Sequence, residues 1–386
     1  MKIRIYFPSF PFPITEGAHL VVADQVRYFA AKGYDVELVC WRESRASIER
    51  KLARSAWPPG AKWTLLEGGL ETASGRFLRV TRSLTSDFSS PELVHYPPRL
   101  LEQVAHLDRA DLAIYHYSYA YVWLSQRDRL APESRRVVHF HNVESDLHLL
   151  RGGGPLGWIH RRNARKMQPH EAALGAYADE LWFLSSRDAK ILGIHSARVI
   201  PPTFDLALRA RRRSPGVERV LAGFIGGMNF KPNYESVSWI LRELAPRLAD
   251  GGFGGKLVFA GKEVPRDLYG LSKRYPFAEF KGFVENLDAF WAELSFLLVP
   301  HVVGSGVRTK ILESIVSGVP VLTNSAGAAS LPAGARENKL FICQDDPAEW
   351  ARILLQESRP QVTRMRLEPD STCSALTAEE VYAGVV

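Results

Sequence analysis

The chain has 386 residues, 46% of them hydrophobic and 24% charged, which is the composition of a folded protein and excludes a disordered or fibrous one. Its three cysteines form no zinc motif and no disulfide framework, its apolar runs are far shorter than a membrane span, and prolines interrupt its N-terminus where a signal peptide needs an apolar helix. We therefore expect a cytoplasmic protein. The net charge of +7 indicates a polyanionic partner, either a phosphate, a lipid headgroup or a nucleic acid.

The first 205 residues alternate strand and helix patterns. The alternation at Lys2–Phe7 predicts a strand, which a loop containing Glu16, Gly17 and Ala18 follows before a helical spacing that lasts to Gly33. Further predicted strands are Asp35–Cys40, Leu112–His116, Arg136–His141, Glu180–Leu184 and Arg198–Pro201. This order predicts a doubly wound parallel sheet.

A stretch rich in Arg, Ser, Pro and Gly separates this half from a second alternation of the same kind. The predicted strands of the second half are Val220–Gly226, Lys256–Gly261, Ala278–Gly282, Ser295–Pro300, Val319–Asn324 and Leu340–Cys343. The sequence thus predicts an α/β protein with two Rossmann-like doubly wound domains facing each other across a cleft. The predicted bounds are an N-terminal domain at 1–205, a linker at 206–217, a C-terminal domain at 218–366 and a C-terminal helix at 367–386 that packs back on the first domain.

The most informative loop follows the strand Ser295–Pro300, because it contains a Gly-Ser-Gly turn and opens a helix with two cations and an acid. In chain order these residues are Gly304, Ser305, Gly306, Arg308, Lys310 and Glu313. Glycines let backbone N–H groups close on an anion at the positive end of a helix, and the cations would add charge-assisted hydrogen bonds to a diphosphate. The acid is suited to ribose hydroxyls. The alternative is a tight turn before a surface helix.

The run GSGVRTKILESIVSGVPVLTN resembles the C-terminal signature of the group 1 (family 4) glycosyltransferases, which are retaining enzymes of GT-B fold. Phe224–Asn233 resembles the first strand and phosphate-facing loop of that family, and Phe280–Leu287 its nucleotide-base pocket. In the first half, Glu16–Ala18 resembles its glycine loop and His139–Glu144 its strand-end histidine motif. The resemblance implies that the C-terminal domain binds the donor and the N-terminal domain selects the acceptor.

The resemblance also implies a role for each matching residue. It assigns Lys231, Arg308 and Lys310 to the diphosphate, Glu313 to the ribose and His141 to the transferred sugar. Of these, His141, Arg308 and Lys231 are the predicted catalytic residues, and Lys310 and Glu313 are predicted to bind the donor. The other predicted donor-binding residues are Gly17, Gly226, Gly227, Phe283, Val284, Leu287, Gly304, Ser305 and Gly306.

The sequence departs from the family pattern at three positions. Ser305 stands where the family often has the first of two glutamates, so the contact of that glutamate with the sugar is lost or passes to Ser305 or to the backbone. Gly227 replaces a usual arginine, and Ala18 replaces the second glycine of the N-terminal loop.

A metal site can be drawn from His139, His141 and His148, with Glu144 and Asp146 between them, but no HExxH motif or cysteine supports it. A donor-contacting role for His141 is favoured, with a satisfied structural histidine as the alternative. The chain also lacks a P-loop, an Asp-x-Asp pair and a Gly-x-Ser-x-Gly elbow. We therefore expect neither a metal ion nor another cofactor.

The predicted activity is a metal-independent, retaining transfer of a hexose-type sugar from a nucleotide-diphosphate donor to a hydroxyl of a glycan, a lipid-linked acceptor or a small-molecule aglycone. A GT-B epimerase or phosphorylase would share the architecture. A non-catalytic nucleic-acid-binding protein would explain the charge but not the Gly-Ser-Gly loop, and we expect no nucleic-acid partner.

A basic segment in the first half carries Arg161, Arg162, Arg165 and Lys166 close to Trp158. Cations beside an apolar anchor are typical of peripheral attachment to an anionic membrane. The segment predicts reversible contact with the inner membrane face. The alternative is an exposed helix without a partner, and a soluble acceptor.

Overall fold

A computed structural model describes residues 1–14, 16–68, 83, 85–152, 157–203, 220–302, 306–329, 331, 341–358, 378–382 and 384–385. Contacts divide the chain into two compact units. The first consists of Met1–Pro202, Ser305–Val307 and Val381–Val386, and the second of Thr203–Gly304 and Arg308–Glu380. The predicted linker at 206–217 lies outside the described residues.

The first unit contains a sheet of seven strands, in the order β3-β2-β1-β4-β5-β6-β7. The strands are β1 Lys2–Tyr6, β2 Asp35–Cys40, β3 Lys62–Leu65, β4 Ala110–His116, β5 Glu133–Phe140, β6 Glu180–Phe183 and β7 Arg198–Val199. All described pairs are parallel. Ile5 of β1 is paired with Leu38 on one side and Ile114 on the other, and all three are fully buried, because helices cover both faces of a parallel sheet.

The helices of this unit follow its strands. They are α1 Gly17–Ala31, α2 Arg45–Leu52, α3 Ser90–His95, α4 Leu101–Ala105, α5 Tyr121–Leu124, α6 Glu144–Leu150, α7 Gly157–Ala173 and α8 Ser186–Ile191. Short 3-10 turns lie at Pro98–Leu100, Ser118–Ala120, Arg127–Arg129 and Leu174–Ala176.

The last residues of the chain pack against the first unit. The Tyr382 ring lies 5.0 Å from the ring of Tyr28 on α1, measured between centroids, and Arg135 of β5 donates to the carbonyl of Val385 at 2.7 Å. Burial of the Tyr382 ring therefore ties the C-terminus to α1.

The second unit contains a sheet of six strands in the order β10-β9-β8-β11-β12-β13. The strands are β8 Leu221–Ile225, β9 Lys256–Ala260, β10 Ala278–Gly282, β11 Phe296–Val299, β12 Val321–Thr323 and β13 Phe341–Cys343. The helices are α9 Lys231–Trp239, continued by a π-helical turn at Ile240–Leu244, then α10 Ala245–Asp250, α11 Arg266–Ser272, α12 Leu287–Glu293, α13 Thr309–Val316, α14 Ser325–Ala328 and α15 Pro347–Glu357. A last short helix, α16, spans Ala378–Tyr382.

Each sheet reverses its strand order once, between β1 and β4 in the first unit and between β8 and β11 in the second. Ligands of open parallel sheets bind beyond the carboxyl ends of the strands at such a switch point. The loops after β8 and β11 are the two that the sequence predicted to face phosphate. The residues at the carboxyl ends of β8 and β11 are therefore the candidates for ligand binding.

The predicted α/β class with two doubly wound parallel sheets is confirmed. Among the described helices, none is long and apolar enough to cross a membrane.

Candidate active site

The turn after β8 and the turn after β9 approach each other so closely that only glycine fits. Gly226 has φ of +150° and Gly261 has φ of +151°, which side chains rarely adopt. A Cβ atom on Gly261 would collide with the carbonyl oxygen of Gly226, and a Cβ atom on Gly226 would lie 2.9 Å from the Nζ atom of Lys310. The backbone of Gly226 thus lies directly beside a cation.

Lys310 joins the two loops of the switch point. Its ammonium donates to the Oδ1 atom of Asn233 at 2.7 Å and lies 4.0 Å from the ring centroid of Phe224. The Nδ2 atom of Asn233 in turn donates to the carbonyl of Gly227 at 2.9 Å. Asn233, which had no predicted role, therefore connects the glycine turn to the lysine.

The environment of Lys310 opposes its charge. Burial and the nearby Arg308 guanidinium lower the pKa of Lys310 to about 7, although Glu313 acts in the opposite direction. Among the residues that the structure describes, no carboxylate hydrogen-bonds to Lys310, and an approaching anion would stabilise the charged form of such a desolvated lysine. Such a perturbed lysine at a strand switch point is a physical sign of a binding site.

Arg308 lies at the start of α13, where the backbone N–H groups of the helix also face outward. Its guanidinium Nε donates to the Nδ1 atom of His301 at 3.1 Å, and its side chain is held within the second unit with only 9% of the residue exposed. His301 thus positions the predicted catalytic arginine. The sequence showed His301 at the end of β11 but not this contact.

Lys231 has a different setting from Lys310. It begins α9, where its ammonium pairs with Glu235 one turn further along and lies 5.1 Å from the ring centroid of Tyr234. Both partners belong to its own helix. The diphosphate role of Lys231 stays a prediction.

The predicted base pocket offers an exposed aromatic face. Phe283, in the loop after β10, is 49% exposed, and the Lys262 ammonium lies 4.1 Å from its ring centroid. Val284 follows it in the same loop, and Leu287 begins α12, which the Asn286 side chain caps. A ring of this kind can stack on the face of a base.

The remaining predicted donor residues fall into two groups. Gly304 and Ser305 lie outside the described residues. Gly306 has φ of +82° and needs to be glycine for that reason. Glu313 lies on α13 and is partly buried, and Gly17 is the first residue of α1, where N–H groups are available to an anion.

His141 lies just beyond β5 in a histidine cluster that differs from the one drawn from the sequence. One ring nitrogen from each of His116, His139 and His141 lies within 4.8 Å of the other two, because His116 and His139 are paired on neighbouring strands. His148 was the wrong third member, since its ring contacts His160 at 3.2 Å. Three imidazoles at this spacing could hold a metal ion, but two of them already hydrogen-bond each other, through His116 Nδ1 and His141 Nε2 at 2.7 Å.

A pair of buried glutamates fixes the helix that follows His141. The Glu171 carboxylate accepts from the backbone N–H groups of Glu144 and Ser145 and from the Ser145 hydroxyl, which caps α6. Burial, together with Glu171, raises the pKa of Glu144 to about 7, although a hydrogen bond from Tyr119 opposes the shift. The sequence did not reveal this pair, because Glu171 is 27 residues from Glu144.

Residues 219–357 match the family model described as glycosyl transferases group 1. No curated protein matches the sequence. Among solved structures, HepE from Anabaena in complex with UDP-glucose is 14% identical with a TM-score of 0.64, covering 100% of this chain and 98% of its own. WaaG, a glycosyltransferase involved in lipopolysaccharide biosynthesis, is 16% identical with a TM-score of 0.57, covering 100% and 96%. An α,α-trehalose-phosphate synthase (UDP-forming) from Burkholderia vietnamiensis is 12% identical with a TM-score of 0.60, covering 92% and 91%.

At such identities the structural likeness shows the fold alone, and the family match extends over residues 219–357. The match covers β8 to α15, and with them Asn233, Arg308, Lys310 and Glu313. The chain has the GT-B fold of these structures, and its residues 219–357 match the group 1 glycosyltransferase domain.

Proposed function

We propose that the protein is a retaining, metal-independent glycosyltransferase that takes a hexose from a UDP-sugar. The second unit holds the nucleotide diphosphate. UDP is the proposed nucleotide because the similar structure of HepE has been solved with UDP and with UDP-glucose. Retention of configuration follows from the family resemblance.

The observation that carries the proposal is the Lys310 cluster, by which we mean Gly226, Gly227, Asn233 and Lys310. It places a partly desolvated ammonium, the backbone of two glycines and an amide at the carboxyl ends of β8 and β11. Open parallel sheets bind phosphates at this position. A purely structural lysine would instead be paired with a carboxylate or would extend into water.

The chemistry follows from the charge that appears when the bond between the sugar and the diphosphate breaks. Negative charge grows on the leaving phosphate, so fixed cations and helix N–H groups lower the barrier. In our proposal Lys310, Arg308 and the first turn of α13 supply this charge. Glu313 accepts from the ribose hydroxyls, Phe283 stacks on the base, and His141 contacts the transferred sugar. These groups need no metal ion and no other cofactor.

Equilibrium calorimetry with UDP, GDP and ADP tests the proposal. We expect UDP to bind most tightly, and Asn233→Ala and Lys310→Met to weaken it by about 10-fold or more, since hydrogen bonds to charged groups contribute about 1.5–3 kcal/mol. Lys256→Met is the matched control, because Lys256 begins β9 at the opposite, amino edge of the sheet and is exposed. Equal binding by all three variants would overturn the proposal.

For the acceptor we propose a lipid-linked or glycan hydroxyl at the cytoplasmic face of an anionic membrane. Two apolar side chains beside the basic segment support this, since Leu149 is 52% and Trp158 54% exposed. Lys166 is the least suited of the four basic residues to bind a lipid headgroup, because its ammonium donates hydrogen bonds to the backbone carbonyls of Ser83 and Ser86. Arg165 remains exposed on α7.

Cosedimentation with phosphatidylglycerol vesicles tests the membrane contact. We expect binding that weakens with salt, with Trp158→Ala, and with Arg161, Arg162 and Arg165 reversed to glutamate. Tyr269→Ala is the control, because Tyr269 is 50% exposed but lies in the second unit. Absence of binding at low salt would favour a soluble aglycone acceptor.

A further inference from the structure

Four buried side chains form a continuous hydrogen-bonded chain under the carboxyl ends of β4 and β5. The Nε2 atom of Gln25, on α1, contacts the Nδ1 atom of His139 at 2.9 Å. The Oε1 atom of Gln25 contacts the Nε2 atom of His116 at 3.0 Å. The Nδ1 atom of His116 then contacts the Nε2 atom of His141 at 2.7 Å. We refer to His139, Gln25, His116 and His141, in this order, as the histidine chain.

The three imidazoles are neutral at neutral pH. Burial and the neighbouring histidines hold the pKa of His116 and of His141 well below the usual value, and burial lowers the pKa of His139 to about 3. A neutral imidazole has one N–H donor and one acceptor nitrogen. Every link in the histidine chain must therefore pair one donor with one acceptor.

The amide of Gln25 decides which atom donates in each hydrogen bond of the histidine chain. Its Oε1 atom can only accept, so the Nε2 atom of His116 carries the proton and the Nδ1 atom of His116 accepts. The hydrogen bond at 2.7 Å then requires a proton on the Nε2 atom of His141. The Nδ1 atom of His141 is left with its lone pair, and among the described residues none hydrogen-bonds to it.

We propose that Gln25 and His116 are positioning residues that fix the tautomer of His141, so that its Nδ1 atom acts as a hydrogen-bond acceptor for a hydroxyl of the transferred sugar. The inference rests on the sugar contact proposed for His141. Both residues are buried, at 0% exposure, and act on the sugar through His141. The opposite amide orientation would reverse every link and place the proton on Nδ1, where it could only donate.

The first test needs no variant and no activity. Spectra of the unliganded protein with ¹⁵N-labelled histidine show which ring nitrogen of His141 carries the proton. We expect a single species protonated at Nε2 and unchanged between pH 6 and pH 8. A proton on Nδ1, or an even mixture of the two forms, would overturn the inference whether or not the protein transfers sugar.

Two substitutions of Gln25 then distinguish its effect on the His141 tautomer from its contribution to packing. Gln25→Met keeps the length of the side chain but removes both hydrogen bonds, so His141 becomes a mixture of tautomers and kcat falls about tenfold, the effect of roughly one hydrogen bond. Gln25→Glu still accepts from His116 in either protonation state and restores the wild-type tautomer and most of kcat. His160→Gln, in the separate His148–His160 pair, is the control and leaves both readouts unchanged.

The outcomes discriminate among three accounts. If Gln25→Met and Gln25→Glu lower kcat equally with an unchanged His141 tautomer, Gln25 only packs and the inference fails. If the wild-type protein takes up one zinc ion and the signals of His116, His139 and His141 shift together, the cluster of histidines is a metal site and the inference fails. If the tautomers behave as expected but no donor is cleaved by the wild type, the proposed function fails instead.

Discussion

In the proposed function, the lowered pKa of Lys310 should make donor binding depend on pH. Below pH 7 the ammonium is already charged in the free protein, so UDP-glucose binds without taking up a proton. Above pH 7 the free protein holds a neutral amine, and the diphosphate has to draw a proton onto it. Affinity is therefore highest at low pH and falls as the pH rises through 7.

The size of the effect follows from the pKa. With a pKa of about 7, the charged fraction of Lys310 falls about tenfold per pH unit on the alkaline side. The association constant for UDP-glucose therefore falls by roughly 20- to 30-fold between pH 6.5 and pH 8.5. UDP-glucose is the right ligand, since it has no phosphate monoester that titrates near pH 6.

Calorimetry across this pH range, in buffers of different ionisation enthalpy, measures both the affinity and the proton taken up. Lys310→Arg is the matched control, because a guanidinium stays charged throughout, and its affinity should be nearly independent of pH. The same pH dependence in Lys310→Arg, or a wild-type affinity that does not change with pH, would show that Lys310 does not titrate on donor binding.

Three further predictions concern stability, the roles of Glu313 and Arg308, and metal dependence. Gly261→Ala should lower the free energy of unfolding by about 2 kcal/mol or more, because a methyl group would meet the Gly226 carbonyl. Gly270 lies in a helix with open space around it, so Gly270→Ala should raise the free energy of unfolding by about 0.5–1 kcal/mol. Urea melts measure both. Glu313→Ala should mainly raise KM for the donor, whereas Arg308→Ala should mainly lower kcat by about 100-fold, and equal losses in both constants would contradict the assigned roles. Transfer should survive EDTA; inactivation that manganese or magnesium reverses would show that a metal takes part.

Most of the fold could be predicted from the sequence because its strands are apolar runs that helices cover on both faces. Asp35–Cys40 and Ala278–Gly282 have the predicted bounds, and the other predicted strands lie within a few residues of the observed ones. The strand missed was β3, Lys62–Leu65, whose residues are exposed or half-buried. An edge strand of this kind lacks the apolar pattern on which the prediction depends.

The site could be predicted only in part, since motifs show which residues a loop carries but not which atoms meet. The sequence placed Arg308 and Lys310 beside a phosphate-binding turn. It did not show that Asn233 holds Lys310, because that contact depends on β8 and β11 being neighbours in the sheet. It did not show the hydrogen bond between Arg308 and His301 either, because that bond depends on the path of the loop after β11. The partner of His141 was also missed, since His116 is 25 residues away, on β4.

We propose that the second unit binds a nucleotide sugar through the Lys310 cluster for cleavage at the sugar carbon. The most direct test follows UDP-glucose by ³¹P and ¹H NMR with the enzyme in EDTA, with and without phosphatidylglycerol-anchored glycan acceptors. We predict release of UDP and an α-configured product, with rates that Lys310→Met and Arg308→Ala reduce and Lys256→Met does not. Formation of UMP and glucose 1-phosphate, an epimerised donor, cleavage that requires orthophosphate, or equal rates in all variants would contradict the claim.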